Sequence, residues 1–237
     1  MSVDLPAEFF QYLAKQGQEP GTRVPPIQEL SKILGISTGK LREQLEVARQ
    51  LGLVEVKPKT GIRTSAFSFS QSLQVAMRFA LALDQRYFYQ FGMLRNHVEA
   101  SFWYEAVQQL HLEDKVHLER LLDEAWSKLH GSPTRIPHKE HRDLHLTIFC
   151  RLENPFVVGL LEAYWDAYEV VGLNLYADFA YLETVWNYHQ EMVRAVLKGD
   201  LDAGYKALVE HTGLLQNRPE AGRYQSPISL SDSVSGG

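Results

Sequence analysis

The sequence predicts a mainly α protein: an N-terminal winged helix-turn-helix followed by an all-α helical bundle. Three observations predict it. Residues 25–64 read as helix, tight turn, helix and basic hairpin. The sign of the charge changes beside residues 65–70. Beyond that point the apolar residues recur at helical spacing almost throughout, and no stretch alternates convincingly as a strand does.

Taken in order, residues 4–16 form a first helix, with Leu5, Phe9, Tyr12 and Leu13 on one side. Residues 17–21 end it, and Pro20 to Pro25 form a loop. Ile27, Leu30, Ile33 and Leu34 then repeat at helical spacing until Gly35 breaks the run. Ser37 is placed to cap the next helix by accepting from one of its first unpaired N–H groups. That helix stacks Leu41, Leu45, Ala48 and Leu51 on one face and leaves Lys40, Arg42 and Arg49 for others. Gly52 follows, where a left-handed stop is cheapest for glycine. Strands at 53–56 and 62–64 flank Lys57-Pro58-Lys59-Thr60-Gly61, a hairpin tip. In a winged helix-turn-helix the second helix enters the major groove of DNA and the wing lies on the backbone.

Charge separates DNA binding from a bare three-helix unit. Residues 37–64 hold six Lys or Arg against three Glu, a net of +3, in a chain whose formal charge is −5. Residues 1–64 carry nine basic and seven acidic groups, net +2, and the remainder 15 and 22, net −7. We therefore divide the chain into a DNA-binding domain (1–64), a linker (65–70), a helical effector-binding domain (71–217) and an unstructured tail (218–237). Helices are expected at about 70–87, 88–110, 112–130, 137–152, 155–175, 178–198 and 200–216. Such a bundle has room for a central pocket. A single cysteine, Cys150, excludes an internal disulfide and suits a reducing compartment. With no signal-like start and no long apolar run, the expectation is a cytoplasmic protein that does not engage a membrane.

Four of the nine histidines have a geometry that suggests chemistry. His141 and His145 are i and i+4, one turn apart on one helix face, where two imidazoles can reach one ion. His189 and His211 flank the break at Gly199-Asp200, about ten residues back and eleven forward. At 1.5 Å per residue both lie roughly 16–17 Å from the turn, level across an antiparallel hairpin. A bland alternative stays open, in which these are separate histidines with local roles. His138 is close enough to substitute in the cluster, although its place beside Pro137 favours solvent.

The ordered set of motifs resembles the GntR family of bacterial transcription regulators, in its FadR-type branch. The likeness runs through Pro20-Gly21-Thr22-Arg23-Val24-Pro25, Glu29-Leu30, Leu34-Gly35-Ile36-Ser37, Leu41-Arg42-Glu43-x-Leu45, Gly52-Leu53-Val54 and the Thr60-Gly61 tip. It continues through Leu94-Arg95-x-x-x-Glu99, His141-x-x-Leu144-His145, Asn154-Pro155 and His189…Gly199-Asp200…His211. The resemblance implies a divalent metal on His141, His145, His189 and His211, and a helical (FCD) effector domain. Family proteins usually have aspartate where this chain has His141. Four neutral imidazoles leave the double charge of the ion uncompensated, so a carboxylate effector would neutralise as well as coordinate. Nitrogen-rich ligation suits Zn or Ni. Arg95 matches a position that can fork onto such a carboxylate, and its alternative is an ordinary helix arginine paired to Glu99. Tyr168, Asn174 and Trp165 are possible pocket walls or core.

The resemblance also assigns DNA-reading positions: Gln28, Ser37, Thr38, Lys40 and Arg42 on the helices, and Lys59, Thr60 and Gly61 on the wing. Family members often carry arginine where this chain has Gln28 and Thr38, which weakens guanine readout there and leaves Gln28 to read adenine. Together these readings describe a homodimeric repressor that binds a double-stranded operator and is released by a small carboxylic or sugar acid. The rivals are a metal-dependent enzyme and a regulator sensing the metal itself. The first needs a general base beside the metal, and Glu140 and Asp143 lie mostly off the His141 face.

Overall fold

The structure, a computed structural model, describes residues 5–16, 19–171 and 179–216. Asn174 and the tail from 218 lie outside the described residues. The elements are α1 (Glu8–Gln16), α2 (Ile27–Leu34), α3 (Thr38–Gln50), β1 (Val54–Lys57), β2 (Gly61–Thr64), α4 (Phe69–Leu83), α5 (Tyr87–Gln108), α6 (Leu112–Leu129), α7 (His138–Ile148), α8 (Pro155–Val171), α9 (Phe179–Lys198) and α10 (Leu201–Gln216). The described chain is mainly helical, as the periodicity predicts.

Two compact units emerge: the described residues of Met1–Phe79 with Leu152–Ala167, and those of Ala80–Arg151 with Tyr168–Gly237. In the first, α1 opens later than expected. Pro6 disfavours helical backbone at Leu5, and Gln11 N–H closes the first turn on the Ala7 carbonyl. Phe9, Leu30, Leu41, Ala48, Val54 and Ile62 form the core of α1 to α3 and the hairpin. The turn between α2 and α3 rests on Gly35, which is left-handed at φ 66° and donates to the Ser31 carbonyl. Ser37 then caps α3, its side chain accepting from Lys40 N–H. β1 and β2 pair antiparallel with Val54 opposite Thr64 and Lys57 opposite Gly61.

The stretch read as a loop at 20–25 instead lies along the free edge of β2. Gly21 N–H donates to Thr64 O at 2.7 Å, Val24 N–H to Ile62 O at 2.9 Å, and Thr64 N–H to Thr22 O at 2.9 Å. An uncovered edge would leave those groups unpaired, and two prolines hide the pairing from pattern reading.

Within the same unit α4 packs closely on the start of α8. A Cβ built on Gly159 would stand 2.6 Å from the Ser70 backbone nitrogen, and Phe156 meets Phe67 and Phe69 edge-on. Gln71 and Ser72 hydrogen-bond back to the carbonyls of Arg49 and Leu51 at the end of α3.

In the second unit, Asp84 separates α4 from α5, accepting from Arg86 N–H at 2.9 Å and Arg86 Nε at 2.6 Å. The α9–α10 hairpin turns at Gly199, φ 74°, where the positive dihedral requires glycine. Trp103 of α5 lies over this hairpin, donating from Nε1 to Leu201 O and filling the space above Gly204. Arg151 grips Asp114 with two hydrogen bonds and fixes the end of α7 against the start of α6. Lys128 of α6 pairs with the buried Glu140 of α7 at 2.5 Å. These ties hold α7, α9 and α10 around one point.

Candidate functional site

That point is the histidine cluster. His141 and His145 come from α7, His189 from α9 and His211 from α10. One ring nitrogen from each lies within 4.8 Å of all the others. Around a tetrahedral ion with metal–nitrogen bonds of about 2.1 Å, nitrogens stand about 3.4 Å apart, so closure of at most about 1.4 Å between a pair brings all four into bonding range. The level pair predicted across the hairpin is in register, with the His189 and His211 rings 4.3 Å apart. His141 and His189 are 4.7 Å apart, and His145 and His189 5.2 Å.

Three of the rings, His145, His189 and His211, are buried, and His141 is half-buried. Burial drives the pKa of all four well below the ordinary imidazole value, and His145 also faces the Arg95 charge. Neutral imidazoles are the form that binds a metal. Among the described residues, Nδ1 of His189 and Nδ1 of His211 are buried without a hydrogen-bond partner. Orphaned buried nitrogens in a ring of four imidazoles fit a divalent transition metal.

Arg95 and Glu99 of α5 complete the inner wall. Arg95 is 4% exposed, so it is not an ordinary surface arginine, although it does pair with Glu99, Nε to Oε1 at 2.8 Å. Its Nη2 lies 2.9 Å from His145 Nδ1, and Glu99 Oε1 lies 3.3 Å from the same nitrogen. Burial pushes the Glu99 carboxyl upward, opposed mainly by the Arg95 charge. Of its two readings, the pairing with Glu99 is present, on a buried rather than an exposed arginine. Glu99 entered the sequence reading only as a partner of Arg95; the i+4 spacing signalled the pair but not its burial beside histidines from other helices.

On the half-exposed side, a pocket of about 20 Å³ opens onto His141 between His138, Tyr168, Tyr181 and Trp186. His138 lines this pocket and is not among the four convergent rings. Tyr168 lies 6.0 Å from His141, ring to ring. Trp165 is almost fully buried and groups with the first unit. Glu140 is tied to Lys128, and Asp143 to Lys139 at 3.0 Å.

In the first unit Gln28, Thr38, Arg42, Lys59 and Thr60 are exposed, and Gly61 is left-handed at φ 76°. Ser37 is exposed too, with its hydroxyl engaged as the α3 cap. Lys40 points to α1, where its Nζ lies 2.5 Å from Glu8 Oε1; Gln44 binds the other oxygen. Those two contacts hold the Glu8 carboxyl down at about 2. Among the described residues, Arg42 has no ion-pair partner, so it presents an uncompensated cation on the same helix.

Residues 90–214 match the family model described as the FCD domain. The chain is 24% identical over 211 residues to the Uxu operon transcriptional regulator of Escherichia coli K12, covering 87% of this chain and 81% of that protein. It is also 24% identical over 211 residues to the HTH-type transcriptional regulator YieP of the same organism, covering 87% and 90%. Among solved structures, a Streptococcus agalactiae GntR superposes with a TM-score of 0.64 at 16% identity, covering 88% of this chain and 95% of that one.

Proposed function

The chain belongs to the FCD-domain, FadR-type branch of the GntR family of transcriptional regulators, and from that premise we propose that its operator affinity is set by a small organic acid bound at a metal held on His141, His145, His189 and His211. It is a regulator, as its relatives are, and not an enzyme. The observation that carries the proposal is the convergence of four neutral imidazoles from three helices within 4.8 Å. The metal is Zn or Ni by donor type, and when bound it supplies Lewis acidity toward a carboxylate.

This chain's own residues do the rest. His141 lines the small pocket, which holds about one water, so an acid would have to widen it to reach that side of the cluster. Arg95 offers the guanidinium that would fork onto the second carboxylate oxygen. Four neutral ligands leave the site net positive, which favours an anionic effector, a carboxylic or sugar acid, over a neutral one.

At the DNA end, Gln28, Thr38 and Arg42 would read or line the major groove, with Lys59, Thr60 and Gly61 of the wing on the phosphates. The protein acts as a cytoplasmic homodimer that represses catabolic or uptake genes, since two recognition helices are needed for a two-half-site operator. An apolar stripe on α4, Val75, Phe79 and Leu83, supports a second copy: these side chains are 47%, 68% and 67% exposed. No helix of the described residues is long and apolar enough to cross a membrane.

The test combines metal analysis of the purified protein with thermal-shift screening of carboxylic and sugar acids. The expected result is bound metal, an acid that raises the melting temperature and releases operator DNA, and loss of both effects in His189→Ala. An unchanged acid-induced shift in that variant refutes metal-mediated binding, and DNA release by the metal alone makes the metal the signal.

A further inference from the structure

The contacts around His145 assign a tautomer that a metal cannot use through Nε2. A guanidinium only donates, so the 2.9 Å contact from Arg95 Nη2 makes His145 Nδ1 an acceptor. The proton of that neutral ring then sits on Nε2, which lies 3.1 Å from His189 Nε2 and donates to it. His189 in turn carries its own proton on Nδ1, the buried nitrogen that has no acceptor. The chain of donors runs Arg95 to His145 to His189 and ends on an orphan.

Coordination through His145 Nε2, the nitrogen turned toward the cluster, needs its lone pair. The proton must then move to Nδ1, where it would face the Arg95 N–H head on. An acceptor stands near that nitrogen: Glu99 Oε1, 3.3 Å away on a fully buried carboxylate. Nothing is gained or lost: the Nε2–H bond breaks, the Nδ1–H bond forms, and Arg95 Nη2 gives up the nitrogen.

We infer that Glu99 is the positioning residue of the metal centre, accepting Nδ1–H from His145 and aiming its Nε2 at the ion, and that this exchange turns Arg95 away from His145. The ion and the Arg95–His145 contact exclude each other, so metal loading precedes acid binding and presents the guanidinium for it. A second carboxylate beside the centre also offsets part of the charge that four imidazoles leave. This inference rests on the four-histidine reading.

Zinc is the probe, on the full chain. Failure of the wild type to take up about one Zn²⁺ per chain would remove the four-histidine reading itself, and this inference with it. Given uptake, chelator competition should show Glu99→Gln weakening Zn²⁺ binding by about 10- to 100-fold. Glu99→Asp should restore most of the loss. Arg95→Met should tighten binding, by up to about tenfold, because the competitor for Nδ1 is gone. Long-range proton–nitrogen spectra of the wild type should show His145 protonated on Nε2 without metal and on Nδ1 with Zn²⁺. Wild-type affinity in Glu99→Gln, weakened binding in Arg95→Met, or an Nε2–H on His145 in the zinc form would each overturn the inference while leaving the cluster in place.

Discussion

Arg42 and Lys40 sit two residues apart on α3, yet their surroundings differ. The Lys40 ammonium is already matched by Glu8, whereas Arg42 projects its charge without a partner among the described residues. Binding DNA through Lys40 would first break a contact within the protein, so its net contribution is smaller. We expect Arg42→Ala to weaken operator binding by about 1–3 kcal/mol and to relax preference at one base pair. Lys40→Ala should cost less than Arg42→Ala, and Glu8→Gln should raise affinity in low salt by freeing Lys40. Fluorescence-anisotropy titrations at two salt concentrations check all three; equal losses in Arg42→Ala and Lys40→Ala would contradict the assignment. The same logic governs Arg95, whose identity was evident but whose work depends on Glu99 and His145 around it.

Among the elements, the contact between α4 and α8 has the least tolerance. Gly159 lets the Ser70 backbone approach to a distance no side chain would allow, with Phe69 close behind. The neighbour that would have to yield is main chain. Gly159→Ala is therefore expected to destabilise the protein by about 1–3 kcal/mol, read as a lower denaturant midpoint with an unchanged slope. Ser37→Ala tests a second element, the start of α3, by removing the acceptor for Lys40 N–H. A loss of about 1 kcal/mol is expected from the missing cap. On α4 itself, Phe79→Glu puts a charge in the exposed apolar stripe. Sedimentation velocity should show it shifting a dimer to monomer, and a dimer of unchanged stability would place the second copy elsewhere.

For the whole molecule, the four clustered imidazoles make stability depend on pH. Each has a folded pKa well below the ordinary value of 6.5, so the unfolded chain takes up protons first as pH falls. The stability they confer is complete above pH 6.5 and is lost on acidification below it. Each contributes a slope of about 1.4 kcal/mol per pH unit where the unfolded ring is charged and the folded one is not. Glu99 has the opposite sign, since its folded pKa is raised above 4.5 and its contribution is lost as pH rises; it offsets at most one of the four. Metal-stripped protein should therefore melt at a clearly lower temperature at pH 5.5 than at pH 7.5. His141→Asn should reduce that difference. A flat profile would mean that the rings are charged or solvated in the folded state.

Read without coordinates, the chain already determined its helices, its hairpin, the glycine stops at Gly35 and Gly52, and the four histidines as candidates. Each of those rests on short-range physics: apolar spacing at 3.6 residues per turn, the cost of left-handed backbone, and reach along one helix or across one tight hairpin. Tertiary structure decided what no local rule could. It laid residues 20–25 along β2, because an edge finds its partner through space. It turned Lys40 onto α1, and it buried Arg95 and Glu99 against His145. It also joined the start of α8 to α4, through a close approach that depends on two segments ninety or so residues apart. Spacing can nominate ligands on neighbouring turns; only packing chooses the charged groups that stand behind them.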